Sequence, residues 1–393
     1  MKMINLHEPY LTNKDIKNVY LSMKSGWVSS AGPMIKRFED KISKYTRSQN
    51  VIACSTGSSA LQIAIKVLDF EENQEIIVPS LTFIASVNSI IYNNLSPFFI
   101  DNDKYYTIDT NKIVYFLNNN TKKIKIKNRN YLVNKFTLKT IRAILIVHTF
   151  GNTVNIDPIY SLCKKNNIII IEDGAESLGS KYTKGRFKNY HAGTIGSIGC
   201  LSFNGNKIIT TGSGGAILTN NKYLAKKARY YINQAKDDSL FYLHNNVGYN
   251  YRMNNIQAAL GCAQIENLDN ILKLKMDITK QYKNKISSDQ LSISTSPNFC
   301  KSNNWLNILE INIKYTKKKL KQLILELAQM GIQCRPLWYP NHKQIPFLKY
   351  KNDKITYLNK IYNNRLCLPS SPNLTKNKIN YISKEIKSIF AKL

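Results

Sequence analysis

Long apolar runs are missing from this chain of 393 residues. The longest, such as Ala143 to Val147 and Ile168 to Ile171, fall far short of the roughly 20 residues that a membrane-crossing helix needs, so no membrane span is expected. The opening MKMINLHEPYLTNKD has no continuous apolar stretch of the kind a signal peptide requires. Paired cysteines are missing as well. Cys54, Cys163, Cys200, Cys262, Cys300, Cys334 and Cys367 are scattered, odd in number and never spaced as CxxC. That pattern argues against a disulfide framework or a zinc site and for reduced thiols in a cytoplasmic protein. The five histidines (7, 148, 191, 244 and 342) show no metal-ligand spacing, and neither GxSxG nor HExxH occurs. Metal and triad chemistry therefore have no support. A Gly-X-Y period and internal repeats are also absent.

Acidic residues are scarce. Twenty-five face 56 basic ones, a net charge of +31, which invites a nucleic-acid hypothesis. The richness in Asn, Ile and Tyr, with Lys far above Arg, is what an AT-rich coding sequence produces without any such partner. In the two densest basic stretches, 122-KKIKIKNRNYLVNK-135 and 314-KYTKKKLKQLILEL-327, the charges alternate with apolar residues or share one helical face. Both read as solvated faces, so nucleic acid is not expected as a partner. A positive field still suits an anionic small substrate such as a nucleotide diphosphate.

What is present is core-forming material: 43% hydrophobic and 10% aromatic residues, enough for one large or two modest domains. Ile35, Phe38 and Ile42 fall at helical spacing in 34-MIKRFEDKISKY-45, and Leu61, Ile65 and Leu68 do so after 55-STGSS-59. Short apolar runs at 51–54, 76–78, 98–100, 144–147, 168–171, 200–203 and 216–218 are mostly separated by helical or loop segments. This alternation predicts an α/β sheet covered on both faces. From about residue 255 long helices (255–286 and 316–331) bracket a strand-like 305-WLNILEINI-313. The expected division is therefore a large domain over 1–254 and a smaller C-terminal α+β domain over 255–393, with the boundary helix at about 255–286.

Four segments carry residues suited to chemistry. In 55-STGSSAL-61 a small-residue turn feeds a helix N-terminus, where N–H groups, hydroxyls and the helix dipole suit a phosphate; an ordinary tight loop would look the same. In 168-IIIIEDGAESLGS-180 a strand buried on both faces runs into Glu172 and Asp173, at the strand end where open α/β sheets bind ligands. Asp173 could be a metal ligand, a general base, the partner of a cationic ring, or a plain helix cap. In 199-GCLSFNGNKIITTGSGGAIL-218 a Gly/Asn turn presents Lys207 between apolar runs, where partial burial makes an amine nucleophilic. Asn206 breaks the Walker-A spacing, and Gly193, Gly196 and Gly199 precede a strand with the wrong spacing for a dinucleotide fingerprint. The fourth, 248-GYNYRMNN-255, reads as a capping segment. Together a phosphate turn, a strand-end acid and a lysine on a glycine-rich bend point to pyridoxal 5′-phosphate (PLP), which needs all three.

These segments, with VPSLTFIAS, VHTFGN, RPLWYPNHKQ and LCLPSS in the same order, resemble the DegT/DnrJ-type sugar aminotransferases over essentially the whole chain. GWVSSAGPMIKRFE (26–39) looks like that family's N-terminal substrate loop. The resemblance implies fold type I of the PLP enzymes: a large domain with a mainly parallel seven-stranded sheet between helices. It further implies that Lys207 is the Schiff-base lysine and proton shuttle, and that Asp173 faces the pyridine nitrogen. Gly57, Ser58 and Ser202 would form the phosphate cup, and Phe83 would stack on the ring unless it is simply core. Asn250 would reach the phosphate of the neighbouring subunit's cofactor, so that a homodimer shares its active sites. Glu176 stands near the cofactor where many relatives carry Gln or His. Arg335 and His342 match a segment close to the sugar-nucleotide. Lys207 argues against the sister dehydratases, which carry His there. The basic stretch from Thr121 to Lys139 looks like an insertion similar to one in members that aminate UDP-linked 4-keto-6-deoxy hexoses. The expected activity is transfer of an amino group from glutamate to such a sugar. A 3-keto specificity, a PLP-dependent dehydratase and, distantly, a regulatory nucleic-acid-binding protein are the alternatives.

Overall fold

The computed structural model describes residues 3–391. Its strands run β1 (Asn50–Cys54), β2 (Glu75–Pro79), β3 (Ser96–Ile100), β4 (Thr121–Ile126), β5 (Arg129–Asn134), β6 (Thr140–Val147), β7 (Ile169–Asp173), β8 (Lys181–Tyr182), β9 (Ile198–Ser202) and β10 (Gly215–Thr219). All seven short apolar runs read from the sequence are strands. They lie side by side in the order β1-β10-β9-β7-β6-β2-β3. Strands β9, β7, β6, β2 and β3 pair in parallel, while β10 is antiparallel to both its neighbours. Helices cover the sheet, which is why β2, β3 and β10 are buried along their whole length.

The sheet has nine strands, not the seven expected. The additional pair is the basic stretch itself: β4 and β5 form a hairpin whose Lys127 and Asn128 both take positive φ, at 44° and 63°, the geometry of a twist-matched two-residue turn. Strand β5 pairs only with the first residues of β6, Thr140 and Ile141. The hairpin therefore sits at the amino-terminal edge, opposite the strand ends where ligands bind.

Helix Pro33–Thr46 buries Phe38 and Ile42, and helix Gly57–Lys66 buries Leu61 and Ile65. The helix expected over 255–286 is two helices, Asn255–Glu266 and Leu268–Ile286, broken at Asn267, whose φ of −95° and ψ of 0° leave the α region. Glu266, at the break, is tied to Lys14 and Lys41.

Strands β11 (Leu291–Ile293), β12 (Cys300–Lys301), β13 (Asn307–Ile311), β14 (Arg335–Pro336) and β15 (Arg365–Leu368) follow. A second sheet orders as β11-β13-β15-β14, and β12 pairs with β8. The N-terminal segment crosses to this second sheet: Ile4 N–H donates to Gly331 O and Glu8 N–H to Ser371 Oγ, both at 2.8 Å. One apolar cluster links the two sheets, running from Phe38, Leu81 and Phe203 to Trp305, Ile308 and Leu358. Among the described residues no helix is long and apolar enough to cross a membrane.

Candidate active site

The carboxyl ends of β6, β7 and β9 deliver Val147, Asp173 and Ser202 to one cavity of ≈ 320 Å³. Lys207 reaches it from the loop between β9 and β10. That loop is closed by Phe203 N–H on Gly214 O at 2.9 Å and by Thr211 N–H on Phe203 O at 2.8 Å. The Trp305 indole N–H holds Asn206 O at 2.7 Å, fixing the peptide next to Lys207. The lysine side chain is 13% exposed, with Nζ 4.2 Å from the centre of the Trp305 ring and 3.4 Å from Glu176 Oε1.

Asp173 ends β7 and is 4% exposed. Its Oδ2 accepts the Ser86 hydroxyl at 2.6 Å and its Oδ1 accepts Ala175 N–H at 3.0 Å. Buried carboxylates are costly unless bonded, and here the bonds also aim the group. The neighbouring Glu172, on the opposite face of the sheet, has a structural task. It binds His148 Nε2 at 2.8 Å and takes the N–H groups of Gly193, Ile195 and Gly196. Burial opposes its ionisation, but His148 and these N–H donors outweigh it and hold the carboxyl below its usual range.

Thr56 caps helix Gly57–Lys66, its side chain accepting Ser59 N–H at 2.9 Å. The helix N-terminus, with Gly57 and Ser58, faces Ser202 across the end of the cavity. A Cβ on Gly57 would lie 2.7 Å from Ser202 Cβ, so only glycine lets the helix start this close to β9. Free N–H groups, two hydroxyls and a helix dipole make this end a cradle for a phosphate. A phosphate cradle, an amine and a buried acid in one cavity fit PLP: Lys207 and the Gly57–Ser58–Ser202 end would hold it, and Asp173 would meet its ring.

Glu176 is 4% exposed and receives Phe150 N–H on Oε2 at 2.8 Å. Burial pushes its carboxyl up to about 7, against the pull of Lys207 and Phe150 N–H. Phe150 itself is non-glycine backbone at φ 56°, stacked 4.9 Å from Trp338. Phe83 lines the cavity but is 53% exposed and meets Trp338 edge-on at 6.1 Å. Arg335 is exposed and lines a second cavity next to the first. His342 lines neither; its Nδ1 bonds Ser80 Oγ at 2.5 Å, and burial and Lys343 push it down to about 4. Within its own chain His342 thus fastens Ser80, just past the end of β2. Asn250 lies on an exposed loop, bridged to Asn233, outside its own chain's cavity.

Sequence reasoning missed Ser86, Trp305, Trp338 and Asn303. The Asn303 amide donates to Glu176 O at 2.8 Å and Leu178 O at 2.9 Å, holding the turn that carries Glu176. Among the described residues no cluster of His, Cys, Asp and Glu could hold a metal ion.

A model of the DegT/DnrJ/EryC1/StrS aminotransferase family matches residues 9–387. The chain is 34% identical over 391 residues to GDP-perosamine synthase of Escherichia coli O157:H7, covering 100% of both. It is 25% identical to UDP-4-amino-4,6-dideoxy-N-acetyl-beta-L-altrosamine transaminase of Campylobacter jejuni, covering 100% of this chain and 98% of the other. In fold it is similar to Helicobacter pylori PseC, with a TM-score of 0.87 at 22% identity and full coverage of both chains.

Proposed function

The chain belongs to the DegT/DnrJ/EryC1/StrS aminotransferase family, and we propose on that basis that it moves an amino group from glutamate to a nucleotide-linked 4-keto-6-deoxy hexose in the cytoplasm. It is a PLP-dependent aminotransferase. The observation that carries the site assignment is the sharing of one cavity by the Lys207 amine, the bonded Asp173 carboxylate and the Gly57–Ser58 helix start.

When bound, PLP supplies an electron sink that acidifies the C–H bond beside the amine. Lys207 would anchor the cofactor and would serve as the acid–base that moves the proton at that carbon, the Trp305 face and Glu176 limiting where its Nζ can stand. The Asp173 carboxylate, steadied by Ser86 and Ala175 N–H, would keep the ring nitrogen protonated. The hydroxyls of Ser58 and Ser202 and the amides at Gly57 would bind the phosphate, and Phe83 would flank the ring. Asn250 serves the cavity of a second copy, making the active unit a homodimer. Leu240, Phe241, Tyr242, Leu243 and Val247, all more than half exposed on the preceding loop, support this, since such an apolar patch favours cover by a partner.

The sequence reading favours UDP as the nucleotide, whereas the more similar relative is named for a GDP-sugar. Strands β4 and β5, the insertion behind the UDP reading, lie beside the first residues of β6, at the sheet end opposite the strand ends that deliver Asp173 and Ser202. Incubation with glutamate and either GDP- or UDP-linked 4-keto-6-deoxy hexose, followed by mass spectrometry, tests the proposal. Formation of the amino sugar from one of them supports it; a loss of the hydroxyl without gain of nitrogen, or no product from either, contradicts it.

A further inference from the structure

Next to the cavity at Lys207 lies a second one, of ≈ 480 Å³, sharing Asn206, Trp305 and Trp338 with the first. The N-terminal segment brings His7 into its wall, and Gln333 and Arg335 join it against Leu6, Leu306 and Leu337. His7 is unusual for a structural residue: both ring nitrogens are buried without a hydrogen-bond partner, whereas buried polar atoms are nearly always bonded. Burial, then the charges of Lys275 and Lys207, hold the ring well below its ordinary pKa. The imidazole is thus neutral near pH 7, with one N–H to donate.

Arg335 stands at the exposed rim and makes one contact, Nη1 on Cys334 O at 3.2 Å, which leaves most of its planar fork open to a carboxylate. Gln333 is anchored through Oε1, which accepts Leu6 N–H at 2.9 Å, so its amide nitrogen is the end available to donate. Arg335 is the one formally charged side chain in this lining. A single guanidinium with neutral donors balances one carboxylate, whereas a diphosphate calls for several cations. The leucine walls suit a short methylene chain.

We propose that this cavity seats the distal carboxylate of the amino donor, a short dicarboxylic amino acid that reaches from Lys207 past Trp305 and Trp338 to Arg335, His7 and Gln333. The inference rests on the aminotransferase reading above.

The test mixes PLP-loaded enzyme with glutamate, or with alanine, which has no distal carboxylate, and follows the single-turnover change in cofactor absorbance. Arg335→Gln and His7→Gln should each raise the glutamate concentration for half-maximal rate by roughly 10- to 100-fold, the worth of one charge-assisted hydrogen bond, and leave alanine within about twofold. Glutarate, a dicarboxylate without an amine, should bind the loaded wild type by calorimetry and lose affinity by the same factor in Arg335→Gln. Arg335 is exposed, so its variant tests the site even where His7→Gln folds poorly. Unchanged glutamate dependence in Arg335→Gln, or equal loss for glutamate and alanine, overturns the proposal. If wild-type enzyme fails to react with glutamate, the donor reading falls, and the glutarate titration alone decides the site: weakened binding in the variant sustains it, equal binding overturns it.

Discussion

Removing the Ser86 hydroxyl takes away the 2.6 Å bond to Asp173 Oδ2. A hydrogen bond to a charged group contributes about 1.5–3 kcal/mol, so Ser86→Ala should weaken PLP binding roughly 10- to 100-fold in a fluorescence titration; unchanged affinity would mean that Asp173 does not face the ring. Asp173→Asn should cut turnover severely while PLP still binds at Lys207. Glu176 gives a pH signature. Burial raises its carboxyl to about 7 from an ordinary 4.5, so the folded state holds a proton that the unfolded state has released across that window. Its stabilising contribution is complete below pH 4.5 and is lost as pH rises through about 7. The melting temperature of cofactor-free wild type should therefore fall relative to Glu176→Gln over this range; parallel curves would contradict the assignment. That Lys207, Asp173, Gly57, Ser58 and Ser202 meet in one cavity was legible because each lies beside a strand end or turn that its own neighbours in sequence define. Ser86, Trp305 and Trp338 were not, since a helix serine and two tryptophans look like ordinary packing until chain segments 87 or more positions away fold onto them.

At the scale of elements, the glycine that begins helix Gly57–Lys66 sets its approach to β9. Gly57→Ala places a Cβ 2.7 Å from Ser202 Cβ, and the helix start must withdraw. The expected outcome is faster loss of PLP on dialysis with little change in secondary structure by circular dichroism; full retention would show that the phosphate is held elsewhere. The seven strands of the main path were readable because strands covered on both faces are continuous apolar runs, whichever way they pair. The hairpin β4–β5 was not read as strand, because alternating Lys and Ile on an exposed edge looks like a charged loop. The break at Asn267 was hidden too, since asparagine in a long polar-faced helix is common and only the Glu266 ties to Lys14 and Lys41 distinguish this one.

At the scale of the whole molecule, the +31 charge and the exposed loop before Asn250 both concern what surrounds the chain. A homodimer with shared sites predicts complementation. Lys207→Ala and Asn250→Ala proteins, each weak alone, form on mixing heterodimers in which one site has both native residues. Activity should recover to roughly a quarter of wild type if subunits exchange at random; no recovery despite exchange, checked by native mass spectrometry, would confine Asn250 to its own chain. The charge leads to a modest expectation, namely that an anionic nucleotide is gathered faster at low salt. The most direct test of the whole account asks which amine carries the cofactor. Lys207 has a rival in Lys275, buried behind Trp305, bonded to Trp305 O and Ser370 O and pushed down to about 7 by burial. Enzyme incubated with PLP, reduced with borohydride and digested should show the pyridoxyl mass on the peptide holding Lys207, and none in Lys207→Ala. A label on Lys275 or any other lysine, or no label in the wild type, would contradict the site described here.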